Sequence, residues 1–474
     1  MDTFVIEGGR RLFGRLQING SKNAALPLLA ATLLTDQPVT LRDVPALADV
    51  RNMLRLLLEL GCERHDTTDD PTVIGTGIVT LQAADPSKSH ARYDIVKTMR
   101  ASICTLGPML AKRGHARVSM PGGCAIGDRP VDIHLRGLTA LGAQISLQAG
   151  DIIAKAPSGG LRGATIFLGG PFGSTVLGTA NVMSAAALAH GTTIIECAAC
   201  EPEIVDLANL LNAMGADITG AGSPRITIHG VPELRGADWT VIPDRIEAGT
   251  FMMAAAITNG DLTLDNCPLD ALLSTVFTLQ QAGVHVTPVA DVPATGSGSR
   301  PRTPSLSITS GTSYPRGNGA DPMRRTVRIT CDRVLRPVEV TTQPHPGFPT
   351  DLQAQLVALL SLTDGNSVVT ERIFPDRFLH VAELLRMGAH ILRQGPSVMI
   401  TGVRKLVGAP VMASDLRASA GLVLAGLAAH GTTVINRVYH LDRGYERMEE
   451  RLRSLGASID RKAEREVAEA TAVA

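Results

Sequence analysis

The sequence predicts an α/β protein of two similar domains, each built from three repeats of helix, strand, helix and strands. One observation is a turn of the form apolar-Gly-small, which follows an amphipathic helix six times along the chain. A second is an Ala- and Leu-rich helical segment upstream of each turn, followed by a β-branched strand. A third is composition, because hydrophobic residues make up 44% of the 474 residues and aromatic residues only 3%. Small aliphatic side chains must therefore fill the cores.

Six turn glycines define the repeats, and each is predicted as the residue that ends a helix. They are spaced 81, 73, 68, 105 and 68 residues apart and are Gly61, Gly142, Gly215, Gly283, Gly388 and Gly456. The upstream helices, such as Asn181–His190 and Ala418–His430, have few polar positions, so we expect them to be buried on most sides.

One spacing is longer than the others and predicts an insertion. The excess lies between about residues 289 and 327, a stretch rich in Pro, Gly, Ser and Arg that indicates a surface loop. The C-terminal tail, residues 463–474, is charged and then Ala-rich, and we expect it to fray.

Composition and charge argue against several classes of protein. Lys plus Arg and Asp plus Glu both number 45, so the net charge is zero, which argues against a nucleic-acid or membrane-surface binder. The first residues lack the apolar core of a signal peptide, and no apolar run reaches the ~18 residues of a membrane span. Seven scattered cysteines favour a reduced, cytoplasmic protein, and the pair Cys197 and Cys200 alone is weak evidence for a metal site.

Cations recur at equivalent places in the repeats. Lys22, Arg100 and Arg417 stand at the starts of Ala-rich helices, where free N–H groups already favour anions. The strand-to-helix loops carry a second set of charges: Arg129, Glu201, Glu203, Arg377 and Arg443. A single such arginine is usually a cap or a solvated residue. Several at matching positions indicate a substrate with several anionic groups, such as phosphates and a carboxylate.

A loop of small residues from 120 to 132 places Cys124 between glycines and charged neighbours. Such a thiol is a candidate for chemistry, although glycine-rich turns with an incidental cysteine are common.

Two other candidate residues, Asp351 and His134, also have simple structural explanations. Asp351 precedes an apolar helix and its charge favours a helix N-terminus, and His134 is as consistent with a structural role as with a substrate contact.

Eight motifs together resemble the UDP-N-acetylglucosamine enolpyruvyl transferases, from about Gly8 to about Asp460. They are NGSKNAALP at 19–27, YDIVKTMRASI at 93–103, PGGCAIGDRPVDIHL at 121–135, EPEIVD at 201–206, IPDRIEAGT at 242–250, HPGFPTDLQAQ at 345–355, DLRAS at 415–419 and YHLDRGYER at 439–447. The resemblance implies two inside-out α/β barrel domains, each of three βαβ-type repeats. We expect residues 22–242 to form the first, and residues 1–21 with 243–462 the second.

The resemblance also implies a reaction and its substrates. The family transfers the enolpyruvyl group of phosphoenolpyruvate to the 3-hydroxyl of UDP-N-acetylglucosamine and releases phosphate, in the first committed step of peptidoglycan precursor synthesis. It uses no metal and no organic cofactor. We therefore expect small-molecule substrates, no nucleic-acid or membrane partner, and a cytoplasmic monomer or weak homo-oligomer.

Residue roles follow from the motifs of the resemblance. Lys22, Arg129 and Arg443 would hold phosphoenolpyruvate, with Arg100 contributing and Arg417 closing around the phosphate. Cys124 would act as general acid, and Asp351 would take or orient the proton of the sugar hydroxyl, with Asn23 anchoring the aminosugar. Further expected substrate contacts are Pro130, Val131, Asp132, Glu201, Ile373 and Arg377.

Two alternatives remain at this point. An enolpyruvylshikimate phosphate synthase shares the implied fold, but its pattern lacks the cysteine loop and the NGSKNAALP form. An inactive regulatory paralogue would be expected to lose Lys22, Cys124, Asp351 or an arginine, and all are present.

Overall fold

The computed structural model describes residues 2–67, 70–121, 131–289, 321–332 and 334–464. Within these ranges the chain forms six four-stranded sheets. In chain order the elements of residues 2–240 are β1 (Asp2–Glu7), β2 (Phe13–Gln17), α1 (Lys22–Ala31), β3 (Val39–Arg42), α2 (Ala48–Glu59), β4 (Cys62–Arg64), β5 (Val79–Ala83), β6 (His90–Ala91), α3 (Tyr93–Val96), α4 (Leu106–Arg113), β7 (His115–Ser119), α5 (Asp132–Ala140), β8 (Gln144–Gln148), β9 (Asp151–Lys155), β10 (Thr165–Phe167), α6 (Val176–Ala186), β11 (Thr192–Glu196), α7 (Pro202–Ala213), β12 (Asp217–Thr219), β13 (Arg225–His229) and β14 (Asp238–Thr240).

The elements of the remaining described residues repeat the same order. They are α8 (Arg245–Ile257), β15 (Asp261–Cys267), α9 (Leu273–Gln281), β16 (Val284–Pro288), β17 (Arg325–Cys331), β18 (Glu339–Thr341), α10 (Gln353–Leu360), β19 (Asn366–Thr370), α11 (Leu379–Arg386), β20 (His390–Gln394), β21 (Ser397–Thr401), β22 (Pro410–Met412), α12 (Leu416–Ala428), β23 (Thr432–Asn436), α13 (Met448–Ser454) and β24 (Ser458–Ala463). Short 3₁₀ helices span Thr32–Leu34, Arg100–Thr105, Leu269–Leu272, Thr350–Leu352 and Val438–Arg443.

Each unit consists of a short strand, a buried helix, a second strand, an outer helix and two further strands. In the sheet β10-β11-β13-β12, for example, β10 runs parallel to β11 and the other neighbours are antiparallel. The six turn glycines all have φ between +83° and +105°, which confirms the predicted helix ends. The unit predicted from the repeats alone, helix, strand, helix and strands, lacked the short first strand.

Two hydrophobic cores divide the chain. One contains buried residues from Ala24 to Val241, and the other contains Phe4 to Ile18 together with Ile246 to Ile459. The buried helices lie at the centre and the sheets outside, so the molecule has two inside-out barrels. We propose 22–242 as the extent of the first domain.

Small residues let the central helices pack closely. A Cβ on Gly107 would lie 2.2 Å from the carbonyl oxygen of Asn181, and one on Gly421 would lie 2.7 Å from that of Ala354. Helices α8, α10 and α12 contact one another in the second domain. Larger side chains would not fit at these two points, where the backbones approach so closely.

The two crossings of the chain between domains run side by side. Ser21 N donates to the oxygen of Ile242 at 2.7 Å, and Asp244 N donates to that of Asn19 at 2.8 Å. Asp244 also caps α8 through one carboxylate oxygen, while the other accepts from Lys22 N at 3.2 Å. The starts of α1 and α8 are thereby fixed to one carboxylate.

Two predicted segment boundaries need correction. β17 begins at Arg325, inside the predicted insertion, because Val327 and Ile329 are both buried and continue the alternation of a strand. β24 extends to Ala463, which pairs with Asp2 and so belongs to the sheet rather than to the tail. The central part of the insertion, residues 290–320, and tail residues 465–474 lie outside the described part of the chain.

Candidate active site

The starts of three buried helices meet between the two domains. Ser21 caps α1 just before Lys22, and Asp415 caps α12 just before Arg417. Asp351 lies in the 3₁₀ helix that leads into α10. Each helix start therefore presents a charged side chain close to backbone N–H groups.

The Asp351 carboxylate lies at the centre of a cluster that spans both domains. It accepts from Arg377 Nη1 at 2.8 Å, from Arg417 Nη2 at 3.1 Å and from Asn23 Nδ2 at 3.4 Å. Burial opposes its ionisation, but the guanidinium groups of Arg417 and Arg377 hold the pKa of this carboxyl well below its usual range. The Asp351 side chain is 27% exposed and is the most accessible part of the two ion pairs, since Arg377 is 7% and Arg417 2% exposed.

A second carboxylate, Asp49 at the start of α2, joins two more of the predicted cations. Its oxygens lie 3.4 Å from Lys22 Nζ and 2.9 Å from Arg443 Nε. Burial lowers the pKa of the Lys22 ammonium, and Asp49 opposes that shift. Asp49 was not predicted as a site residue, because an acid in the first turn of a helix is ordinary.

Glu201 lies in a neighbouring cluster that also crosses between domains. Its Oε1 accepts from His345 N at 3.4 Å, and Glu203 binds Arg245 through both oxygens, at 2.9 and 3.3 Å. Burial raises the pKa of Glu201. No described residue makes a hydrogen bond to its other oxygen, Oε2. Glu201 thus faces the domain boundary.

The other predicted residues have separate positions. Arg100 is half-buried at the start of a 3₁₀ helix. Val131 is buried just before α5, and Asp132 is exposed in its first turn. Cys124, Arg129 and Pro130 lie outside the described residues. His134 is buried and hydrogen-bonds Asn181 at 3.0 Å, which is consistent with the structural alternative.

Ile373 lines a cavity of about 530 Å³ between the domains. The first domain contributes the turn at Phe172, and the second contributes the segments around Pro344 and Ile373. Glu371 fixes the wall of the cavity: this fully buried carboxylate accepts from the backbone N–H groups of Ile373 and Phe374 at 2.8 and 2.9 Å. Sequence reasoning missed Glu371, which looks like an ordinary loop acid.

The same carboxylate connects this wall to the Asp351 cluster. Glu371 Oε2 accepts from Thr350 Oγ1 at 2.9 Å, and Thr350 precedes Asp351. Arg377 Nη1 in turn donates to Thr350 Oγ1 at 3.0 Å. The cavity and the charged cluster are therefore parts of one site.

The described residues hold neither a metal-ligand cluster nor a membrane-spanning helix. Among them, no three His, Cys, Asp or Glu side chains are grouped as a metal site. No helix there has both the length and the apolar character required to cross a bilayer. Cys197 and Cys200 are half-buried free thiols.

Comparison with known proteins gives matches over nearly the whole chain. The profile of EPSP synthase (3-phosphoshikimate 1-carboxyvinyltransferase) matches residues 6–452. The UDP-N-acetylglucosamine 1-carboxyvinyltransferase of Anaeromyxobacter sp. (strain Fw109-5) is 49% identical over 461 residues, which cover 97% of this chain and 99% of that protein. The protein of the same name from Methylacidiphilum infernorum (isolate V4) is 47% identical, with the same coverage.

Solved structures give the same fold. The enolpyruvyl transferase NikO from Streptomyces tendae superposes with a TM-score of 0.80 at 25% identity, over 97% of this chain and 99% of that one. An EPSP synthase from Acinetobacter baumannii superposes with a TM-score of 0.70 at 17% identity, over 98% and 100% of the two chains, and is similar in fold alone.

Proposed function

The chain belongs to the EPSP synthase family, and we propose that it transfers the enolpyruvyl group of phosphoenolpyruvate to the 3-hydroxyl of UDP-N-acetylglucosamine, releasing phosphate. Relatives named for this activity are nearly half identical over 97% of the chain. The geometric observation that carries the proposal is the meeting of Lys22 and Asn23 with Asp351, Arg417 and Arg443 across the domain boundary. This arrangement offers cations for anionic groups beside a carboxylate for a hydroxyl.

The reaction needs an acid, a base and cations. In the addition step the sugar oxygen forms a bond to C2 of phosphoenolpyruvate, its proton passes to a base, and C3 gains a proton from an acid. In the elimination step C3 loses a proton and the bond between C2 and the phosphate oxygen breaks. We assign the acid to Cys124, the base to Asp351, and charge stabilisation to Lys22, Arg129 and Arg443. Arg100 contributes to the phosphate-binding region.

Substrate binding is expected to make Asp351 a better base. Two arginines pair with its carboxylate in the structure, and this pairing depresses its pKa and its affinity for a proton. If Arg417 turns toward the phosphate, one of these pairs is lost and the carboxylate regains basicity. Asn23 remains within reach to orient the aminosugar.

We assign the nucleotide to the cavity beside Ile373. Its volume of about 530 Å³ is typical of a small-molecule pocket, and both domains line it. Val131 and Asp132, with Pro130, would contact the nucleotide from the first domain, and Glu201 and Arg377 border the neighbouring clusters.

We also propose the cellular setting. The product would enter peptidoglycan precursor synthesis in the cytoplasm, and so support cell shape and division. The enzyme would work as a monomer or weak homo-oligomer, without a metal or an organic cofactor.

The test is phosphate release from phosphoenolpyruvate by the purified protein. Release that requires UDP-N-acetylglucosamine supports the proposal. Release that instead requires shikimate 3-phosphate would support the alternative synthase, and no release with either acceptor would support an inactive paralogue.

A thiol-directed reagent tests the assignment of Cys124. We expect an epoxide phosphonate of the fosfomycin type to alkylate this residue, and Cys124→Asp to keep an acid while preventing alkylation. Mass spectrometry of digested protein locates the adduct. An adduct on Cys197 or Cys200, or none, would contradict the assignment.

A further inference from the structure

Asp49 has no role in the function proposed so far, yet it contacts two of the residues that carry it. It lies in the first turn of α2, an outer helix of the first domain, and is only 3% exposed. Its Oδ1 accepts from Arg443 Nε at 2.9 Å, and its Oδ2 lies 3.4 Å from Lys22 Nζ and 3.5 Å from Arg443 Nη2. A buried carboxylate thus lies between an ammonium and a guanidinium.

The two cations come from different domains. Lys22 begins α1 in the first, and Arg443 ends a 3₁₀ helix in the second. A further hydrogen bond reinforces this junction, because Ala46 N donates to Glu446 Oε2 at 2.9 Å. Asp49 therefore contacts one cation from each domain.

Electrostatics explains why a carboxylate is needed there. The positive charges of Arg417 and Arg443 both oppose the charge on Lys22, while Asp49 is the largest factor favouring it. Without that carboxylate, buried like charges would repel one another across the boundary. An ammonium has three N–H donors and a guanidinium five, so neither cation uses all its donors on Asp49.

We infer that Asp49 is a positioning residue for the enolpyruvyl transfer: it brings Lys22 and Arg443 to a common position before phosphoenolpyruvate arrives, so that their other donors bind its anionic groups. This inference rests on the proposed function. It differs from a purely structural role, in which Asp49 would only favour the start of α2.

Steady-state kinetics of Asp49→Asn, with each substrate varied, test the inference. We expect KM for phosphoenolpyruvate to rise at least tenfold and kcat to fall at least tenfold, with KM for UDP-N-acetylglucosamine within threefold of the wild type. Asp49→Glu should have a kcat/KM for phosphoenolpyruvate at least threefold higher than that of Asp49→Asn. Glu59→Gln is the matched control, since Glu59 ends the same helix and pairs with Arg92, and it should stay within twofold.

A double-mutant cycle separates positioning from folding. In the Arg443→Gln background, adding Asp49→Asn should lower kcat/KM by a smaller factor than it does in the wild-type background, because one of the two cations that Asp49 orients is already gone. Calorimetric binding of UDP-N-acetylglucosamine verifies that each variant is folded. If Asp49→Asn does not fold, Asp49→Glu must still raise KM for phosphoenolpyruvate while leaving KM for UDP-N-acetylglucosamine within threefold of the wild type.

The outcomes that overturn the inference are specific. The inference is wrong if Asp49→Asn behaves like Glu59→Gln, if it raises both KM values equally, or if it lowers KM for phosphoenolpyruvate. It is also wrong if the losses in kcat/KM caused by Asp49→Asn and Arg443→Gln simply multiply in the double variant. An inactive wild-type protein would instead count against the proposed function.

Discussion

At the scale of single residues, Arg417 shows how a buried charge is stabilised by its neighbours. The guanidinium of Arg417, 2% exposed, lies between the Asp351 carboxylate and the ring of Tyr445, 5.4 Å from its centroid. Removing one partner of such a group leaves a charge that water cannot reach, at a cost of roughly 3–5 kcal/mol. Substitutions here should therefore affect both chemistry and stability.

Asp351→Asn should lower kcat at least about 100-fold, because the amide cannot accept the hydroxyl proton. The matched control is Asp364→Asn, an exposed acid beyond the other end of α10, which should leave kcat within twofold. Initial rates of phosphate release measure both. Equal effects of the two substitutions would remove Asp351 from the mechanism.

Asp206 should make stability depend on pH. Burial raises its pKa to about 6, although Trp239 Nε1 and Ile242 N both donate to it. A carboxyl whose pKa is raised on folding contributes stability that is fully present below about pH 4 and is lost as the pH rises through about 6, in total about 3 kcal/mol. Asp206→Asn should lack this loss.

Denaturant unfolding of wild type and Asp206→Asn between pH 4 and 8 measures that difference. A constant difference in the free energy of unfolding across the range would show that Asp206 titrates normally.

At the scale of elements, a loop and a helix start depend on one buried side chain. Glu371 accepts from Thr342 and Thr350 as well as from two backbone N–H groups of its own loop. The cavity beside Ile373 and the start of α10 are therefore shaped together, and neither can shift alone.

Glu371→Gln should raise KM for UDP-N-acetylglucosamine more than fivefold. A glutamine offers one acceptor oxygen where the carboxylate offers two, so at least one buried donor loses its partner at about 1–3 kcal/mol. Glu339→Gln on the exposed edge strand β18 is the control and should leave KM unchanged. An unchanged KM in Glu371→Gln would show that the loop is fixed by other contacts.

Much of the element order is predictable, because it recurs six times with a glycine at the same place. The short strand before each buried helix is not, since His90–Ala91 and Thr165–Phe167 are too brief to show alternation. Lys22 and Arg417 are predictable from their places at helix starts. Asp49 is not, because its importance depends on a contact with Arg443, 394 residues away.

At the scale of the whole molecule, buried ion pairs join the domains. Arg245 and Glu203 are 8% and 2% exposed and bind through two hydrogen bonds, one partner from each side of the boundary. The relative position of the domains is therefore coupled to charge, and it should respond to loss of a single carboxylate.

Glu203→Gln should destabilise the protein by about 3–5 kcal/mol, because it leaves the buried Arg245 without its counter-charge. Glu196→Gln in the same unit breaks an exposed pair with Arg225 and should cost less than about 1 kcal/mol. Thermal and denaturant unfolding compare the two. Similar losses would mean that Arg245 finds another partner.

The pairing of β1 with β24 has a consequence for how the chain is made. Asp2 pairs with Ala463, so β1 must wait until β24 has been made before its sheet is complete. The first domain can finish folding during synthesis, whereas β1 keeps an open edge that other strands can join. A nascent chain stalled before residue 458 would thus lack β24 and leave one edge of β1 unpaired.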